Sequence, residues 1–163
     1  MTSAAVITCS NRSAVGERPD DSGDLLRVLL EDAGAVVVHR KIVPDEIEAI
    51  QRAIGAAIAS GADVVLTTGG TGLTPTDVTP EAVRPLLDRE VPGIAEALRL
   101  TSRQAVPTSV LSRGVAGTIG RALIVTLPGS PGGVRDGMKV LGPVLDHAVE
   151  QIAGGDHHHG GGV

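Results

Sequence analysis

Short apolar runs rich in β-branched residues recur at residues 4–9, 36–43, 62–66 and 122–127, and none alternates cleanly between apolar and polar positions. Such runs suit strands buried on both faces, as in a parallel sheet covered by helices. Helical periodicity fills the intervals. Leu26, Leu30 and Ala33 form one stripe ended by Gly34, and Ile47, Ile50, Ile54, Ala57 and Ile58 form another ended by Gly61. Towards the C-terminus, Val134, Met138, Leu141, Leu145, Ala148 and Ile152 step by fours and threes along one helix face. Gly142 and Pro143 interrupt that face, which predicts a kink just before Pro143. Residues 109–121, with Gly114, Gly117 and Gly120, are too glycine-rich for a helix and predict a hairpin-like excursion into the last strand.

Strands alternating with helices predict one three-layer α/β domain over residues 1–153, with a mostly parallel sheet, helices on both faces and right-handed crossovers. The length of 163 residues and the 42% hydrophobic content suit a single well-buried core. Residues 154–163, GGDHHHGGGV, predict a disordered tail whose histidines have no fixed geometry for a metal. No run approaches the roughly 18 apolar residues of a membrane span, and the N-terminus lacks a basic region followed by an apolar one, so a cytoplasmic protein is expected.

Composition narrows the ligand. The formal net charge of -5, without clustered Lys and Arg, argues against nucleic acid as a partner. Phe, Tyr and Trp are all absent, so a flat ring would have to lie on aliphatic side chains, glycine backbone or an arginine plane. An acidic protein binding an anion also calls for a divalent cation. The one cysteine, Cys9, ends an apolar run and is expected to be a small buried side chain. His39 and His147 lie within predicted elements and are expected to be structural.

Ligands of open α/β sheets sit beyond the carboxyl ends of the strands. Four loops leave the predicted strands there: CSNR running on to DDSG, with Ser10, Arg12 and Ser22; VPDE, with Asp45; GGTGLTPTD, from Gly69 to Asp77; and LPGSPGG, with Pro128, Gly129, Ser130 and Pro131. Gly69, Gly70 and Gly72 permit the close backbone approach by which successive N–H groups hold an anion, but neither the Walker lysine nor the last glycine of G-x-G-x-x-G is present. On glycine content alone, a plain turn and an anion site stay equally open. Thr79, Pro80 and Glu81 read as a helix start with Thr79 as N-cap, which leaves Asp77 uncommitted beside the glycines, an Asx-turn being the alternative. Asp45, with Glu48 three residues on, fits a capping box; otherwise it is a second carboxylate able to hold Mg²⁺ with Asp77. Ser130 is a suitable N-cap for the last long helix. Pro128 stands where G-x-S-x-G needs its first glycine, which argues against a Ser-His-Asp hydrolase.

TTGGTGLTPTDVTPEA, IVPDE, VPTSVLSRGVAG and LPGSPGG, in this order, resemble the Mog/MoaB family of molybdenum cofactor biosynthesis proteins, related to the gephyrin G domain. The resemblance runs from Val6 to about Asp156 and is strongest to the Mog type, the molybdopterin adenylyltransferases. It implies the family's α/β fold, a homotrimer, and transfer of AMP from Mg-ATP to the terminal phosphate of molybdopterin with release of pyrophosphate. Hand-over of the product to a molybdate-inserting protein would follow. By position it makes Asp45 and Asp77 catalytic, holding Mg²⁺, and assigns Gly69, Gly70, Thr71 and Gly72 to phosphate. Ser112, Arg113 and the loop from Pro128 to Pro131 would help bind nucleotide or pterin. Two positions depart from many relatives: Thr76 replaces an arginine, and Asn11 replaces an aspartate. The loss of charge at Thr76 keeps open a MoaB-type protein that binds the pterin with little transfer, and a non-enzymatic scaffold is a third reading.

Overall fold

A computed structural model describes residues 1–155, so the expected tail falls outside the described residues from position 156 onwards. Six strands form one sheet: β1 (Ser3–Cys9), β2 (Val36–Val43), β3 (Val64–Thr68), β4 (Arg89–Glu90), β5 (Ala116–Ile119) and β6 (Ala122–Leu127). Their order is β2-β1-β3-β6-β5-β4. β1, β2, β3 and β6 run parallel, while β5 and β4 add antiparallel pairs at one edge. The glycine-rich excursion is therefore a hairpin, with Gly120 at φ 56° between β5 and β6.

Helices cover both faces, as the unbroken apolar runs require. Ala5, Ile7 and Cys9 of β1 point to one side with Val65 and Ile124, packing on α3 (Ile47–Ala59) and on Ala82 and Val83 of α4 (Thr79–Val83). Ala4, Val6, Leu66, Leu123 and Val125 point to the other side, towards α2 (Asp21–Asp32), α6 (Pro131–Leu141) and α7 (Leu145–Ile152). Alternate residues of each central strand thus feed separate cores, which is why no polar positions interrupt the runs. Ile7, Leu66 and Ile124 are fully buried, and each such side chain contributes roughly 1.5–3 kcal/mol relative to exposure.

Two readings need adjustment, and a third, the kink expected just before Pro143, holds. β2 is an edge strand and leaves Val36 and Val38 exposed, so it is not buried on both faces; its β-branched residues reflect strand propensity more than burial. A helix absent from the periodicity reading, α5 (Pro92–Thr101), packs Ile94 and Leu98 against the second core. The C-terminal stripe divides at Gly142 into α6 and α7 through a 3₁₀ turn, Gly142–Val144, that contains Pro143.

Candidate functional site

Strand register brings the loops to one level. Thr8 lies opposite Thr68, Thr68 opposite Leu127, and Cys9 opposite Val43, so the chain leaves all four parallel strands at the same height. Cross-links then bind the loops together. Ser10 N–H donates to Val43 O at 3.0 Å and Gly69 N–H to Leu127 O at 3.0 Å. Thr68 Oγ1 donates to Pro128 O at 2.7 Å, and Ser22 Oγ to Gly129 O at 2.5 Å.

The glycine loop cannot be built from other residues. Gly69 has φ 101° and Gly70 φ 69°, both in the left-handed region. A Cβ on Gly69 would stand 2.3 Å from Cys9 O, and one on Gly70 would stand 2.2 Å from Thr79 Oγ1. Thr79 is not the N-cap. Val78 caps α4 without a side-chain bond, Thr79 opens the helix, and its buried hydroxyl donates to Gly69 O at 3.0 Å. The helix start therefore clamps the glycine loop from beneath.

Asp45 is not a cap either. α3 begins one residue later than a capping box would need, with Glu46 at the N-cap position and no side-chain bond there. Asp45 instead pairs reciprocally with Asn11: Asn11 N–H donates to Asp45 Oδ2 at 3.1 Å, and Asp45 N–H donates to Asn11 Oδ1 at 2.8 Å. An asparagine at position 11 makes this exchange without adding negative charge. The other oxygen, Asp45 Oδ1, is buried, has no hydrogen-bond partner among the described residues, and lies 3.3 Å from where a Gly70 Cβ would be. Burial pushes the Asp45 carboxyl above its ordinary value, and the charge of Asp77 pushes in the same direction against the Asn11 bond.

Asp77 is partly engaged, though not in the alternative Asx-turn, since Thr79 N–H donates to Gly70 O at 3.1 Å; instead Thr74 N–H and Thr74 Oγ1 both donate to its Oδ2, at 3.0 and 2.8 Å. Oδ1 carries no hydrogen bond among the described residues. Two carboxylates, one with a buried unpartnered oxygen, fit a hard divalent cation. Among the described residues no group of three or more His, Cys, Asp or Glu side chains is placed so that it could hold a metal ion by itself, so further ligands would have to come from substrate or water.

Two adjoining clefts open over this rim and share Gly70, Asp77, Gly129 and Ser130. The smaller, of about 330 Å³, is polar and holds Ser10, Ser22, Asp45, Gly69 and Pro131 of the expected residues. The larger, of about 590 Å³, is mainly apolar and holds Thr71, Gly72, Ser112 and Pro128. Ser10 and Ser130 also act as N-caps, of the one-turn helix α1 (Asn11–Ala14) and of α6, accepting from Ser13 N–H at 3.2 Å and Gly133 N–H at 3.1 Å.

Neither cleft is lined by Arg12 or Arg113. The Arg113 guanidinium donates to Gly72 O and Asp77 O, each at 2.8 Å, and to Glu81. It braces the glycine loop from behind. Sequence reading missed the outer wall of the larger cleft, where Ala95, Leu98 and Arg99 come from α5, and missed Arg18 and Asp20 in the smaller one. The Pro92 start and the spacing of Ile94, Ala95 and Leu98 were the available signal for α5.

A family model described as "Probable molybdopterin binding domain" matches residues 5–147. The chain is 42% identical over 154 residues to a molybdenum cofactor biosynthesis bifunctional protein of Synechococcus elongatus, covering 94% of this chain but 48% of that protein, about half its length. It is 46% identical to molybdenum cofactor biosynthesis protein B of Bacillus cereus, over 83% of each chain. A molybdopterin adenylyltransferase of Helicobacter pylori is 35% identical over 91% of this chain and 86% of its own. Among solved structures, MoaB from Thermus thermophilus superposes with TM-score 0.88 at 44% identity, covering 94% of this chain and 98% of that one. The Mog protein from Mycobacterium ulcerans gives TM-score 0.88 at 45% identity, over 93% and 99%. The conclusion is that this chain belongs to the Mog/MoaB family of molybdenum cofactor biosynthesis proteins.

Proposed function

We propose that the chain is a molybdopterin adenylyltransferase, moving AMP from ATP to the terminal phosphate of molybdopterin. The observation that carries this reading is the buried Asp45 Oδ1, unpartnered among the described residues, beside Gly70 and in one cleft with Asp77. A structural carboxylate would have found a donor; an oxygen left bare at cost suits a substrate-borne cation. Asp45 and Asp77 would hold Mg²⁺ arriving with ATP, and bound there it would neutralise charge on the phosphates.

The chain's own residues supply position. Gly69, Gly70 and the start of α6 at Ser130 and Pro131 line the polar cleft, where close backbone approach and the positive end of the helix would favour phosphate oxygens. The apolar cleft, walled by Leu98 and Leu111, suits a flat heterocycle in a chain without aromatic residues. Transfer needs no covalent enzyme intermediate. An oxygen of the pterin phosphate forms a bond to the α-phosphorus, the bond to the β-phosphate oxygen breaks, and pyrophosphate leaves. The assembly is proposed to be a homotrimer, for which exposed Leu100, Val106 and Val110 offer apolar surface, and sedimentation velocity tests it.

A second reading, a MoaB-type protein that binds molybdopterin with little transfer, is favoured by Thr76, which puts no cation beside Asp77. Pyrophosphate release from Mg-ATP separates the two. The transferase reading requires release that depends on molybdopterin and is lost in Asp45→Ala and Asp77→Ala. Binding of molybdopterin without release supports the second.

A further inference from the structure

We propose that Arg18 is the phosphate-binding cation of this site, a role that rests on the adenylyltransferase reading above. It is the one Lys or Arg among the residues lining the polar cleft, where it shares the wall with Asp20, Asp21, Asp45 and Asp77. An anionic substrate entering there meets four carboxylates and needs compensating charge. Arg12 lines neither cleft, and three other nearby cations are committed. Arg40 binds Asp20 at 2.8 Å and Asp24 at 2.6 Å, Arg99 donates to Ser112 O and Gly114 O, and Arg113 holds the glycine loop.

Arg18 has no hydrogen bond or ion pair among the described residues. Its backbone is nevertheless fixed on both sides. Glu17 N–H donates to Arg12 O at 2.9 Å, Gly16 turns the chain with φ 77°, Pro19 follows, and Asp20 caps α2 by accepting from Gly23 N–H at 3.0 Å. A guanidinium offered from a tethered loop, without an internal partner, can form a bidentate contact to phosphate oxygens. It would supply the charge that Thr76 does not.

The test compares wild type with Arg18→Ala, Arg18→Lys and, as a control for net charge, Arg52→Ala on the exposed side of α3. Arg18→Ala should raise the KM of one phosphate-bearing substrate about tenfold, the worth of one charge-assisted contact, and flatten the salt dependence of its binding. A rise confined to ATP assigns the contact to the nucleotide phosphates, and a rise confined to molybdopterin assigns it to the pterin phosphate. Arg18→Lys should recover part of the loss, and Arg52→Ala should change neither KM. Unchanged KM values for both substrates in an active, folded Arg18→Ala protein overturn the proposal and leave the transferase reading standing. If wild type releases no pyrophosphate yet binds Mg-ATP or molybdopterin in an Arg18-dependent way, the transferase reading fails and the assignment of Arg18 holds.

Discussion

The hydroxyl of Thr79 donates to the carbonyl of Gly69 at 3.0 Å, in a position with no access to solvent. With Thr79 N–H donating to Gly70 O at 3.1 Å, it fixes the start of α4 to the glycine loop. Thr79→Val keeps the shape and removes the donor, leaving a carbonyl unsatisfied, and should cost about 1–3 kcal/mol. Thr79→Ser should restore most of that. Chemical denaturation of the three proteins checks it; equal midpoints for Val and Thr would show that the bond contributes nothing.

Asp45 sets function against stability. Its carboxyl is raised above the ordinary 3.8, first by burial and then by the charge of Asp77. The folded state therefore holds the proton more tightly than the unfolded chain, and stability falls as pH rises from the unfolded value through the folded one. Asp45→Asn removes that penalty at neutral pH while keeping an oxygen for Asn11 N–H. The variant should melt a few degrees higher than wild type at pH 7, and the gain should vanish below about pH 3.8. Thermal melts at several pH values read this, and magnesium with ATP should stabilise wild type but not the variant.

Gly69→Ala and Gly70→Ala place a methyl against Cys9 O and Thr79 Oγ1 respectively, at backbone angles an L-residue avoids. Each should lose at least about 2 kcal/mol of stability. Substitution at Gly132, whose Cβ would meet nothing within 4 Å, should be tolerated by comparison. Denaturation midpoints of the three variants rank them.

Arg113→Ala frees the carbonyls of Gly72 and Asp77 together and should cost roughly 2 kcal/mol, its contacts being partly exposed. Arg113→Lys should recover little, since a point charge cannot reach Gly72, Asp77 and Glu81 in one plane. The Glu81 carboxyl is held below its ordinary 4.5 chiefly by the Arg113 bond, so its contribution is present above that pH and lost as pH falls through the folded value. Glu81→Gln should therefore differ from wild type near pH 7 and converge with it in strong acid, as melts across that range would reveal.

The sheet was legible in the sequence because continuous apolar runs have one economical explanation, burial between two helical layers. The convergence of Asp45, Asp77 and Gly69 followed from parallel strands alone. Side-chain commitments were less legible. Thr79 and Asp45 both satisfy local capping rules, yet the first is pulled inward by Gly69 O and the second is drawn to Asn11, partners 10 and 34 residues away. Arg113 looked available as a ligand for phosphate because nothing near it in sequence shows that Gly72, Asp77 and Glu81 surround it. Arg18 was passed over for the opposite reason: its place in the cleft comes from the turn at Gly16, which no charge pattern announces.

Cys9 lies beneath Gly69, 3% exposed, and burial pushes its thiol up to about 12. At neutral pH almost none of it is thiolate, the form that maleimides and iodoacetamide attack. The chain's one sulfhydryl is accordingly silent to alkylating dyes, and the chain has no tryptophan or tyrosine to emit in the ultraviolet. A cysteine introduced at Ser13, on the wall of the polar cleft, would carry a fluorophore at a single position against a dark background. Ligand entry could then be followed optically in the otherwise native protein.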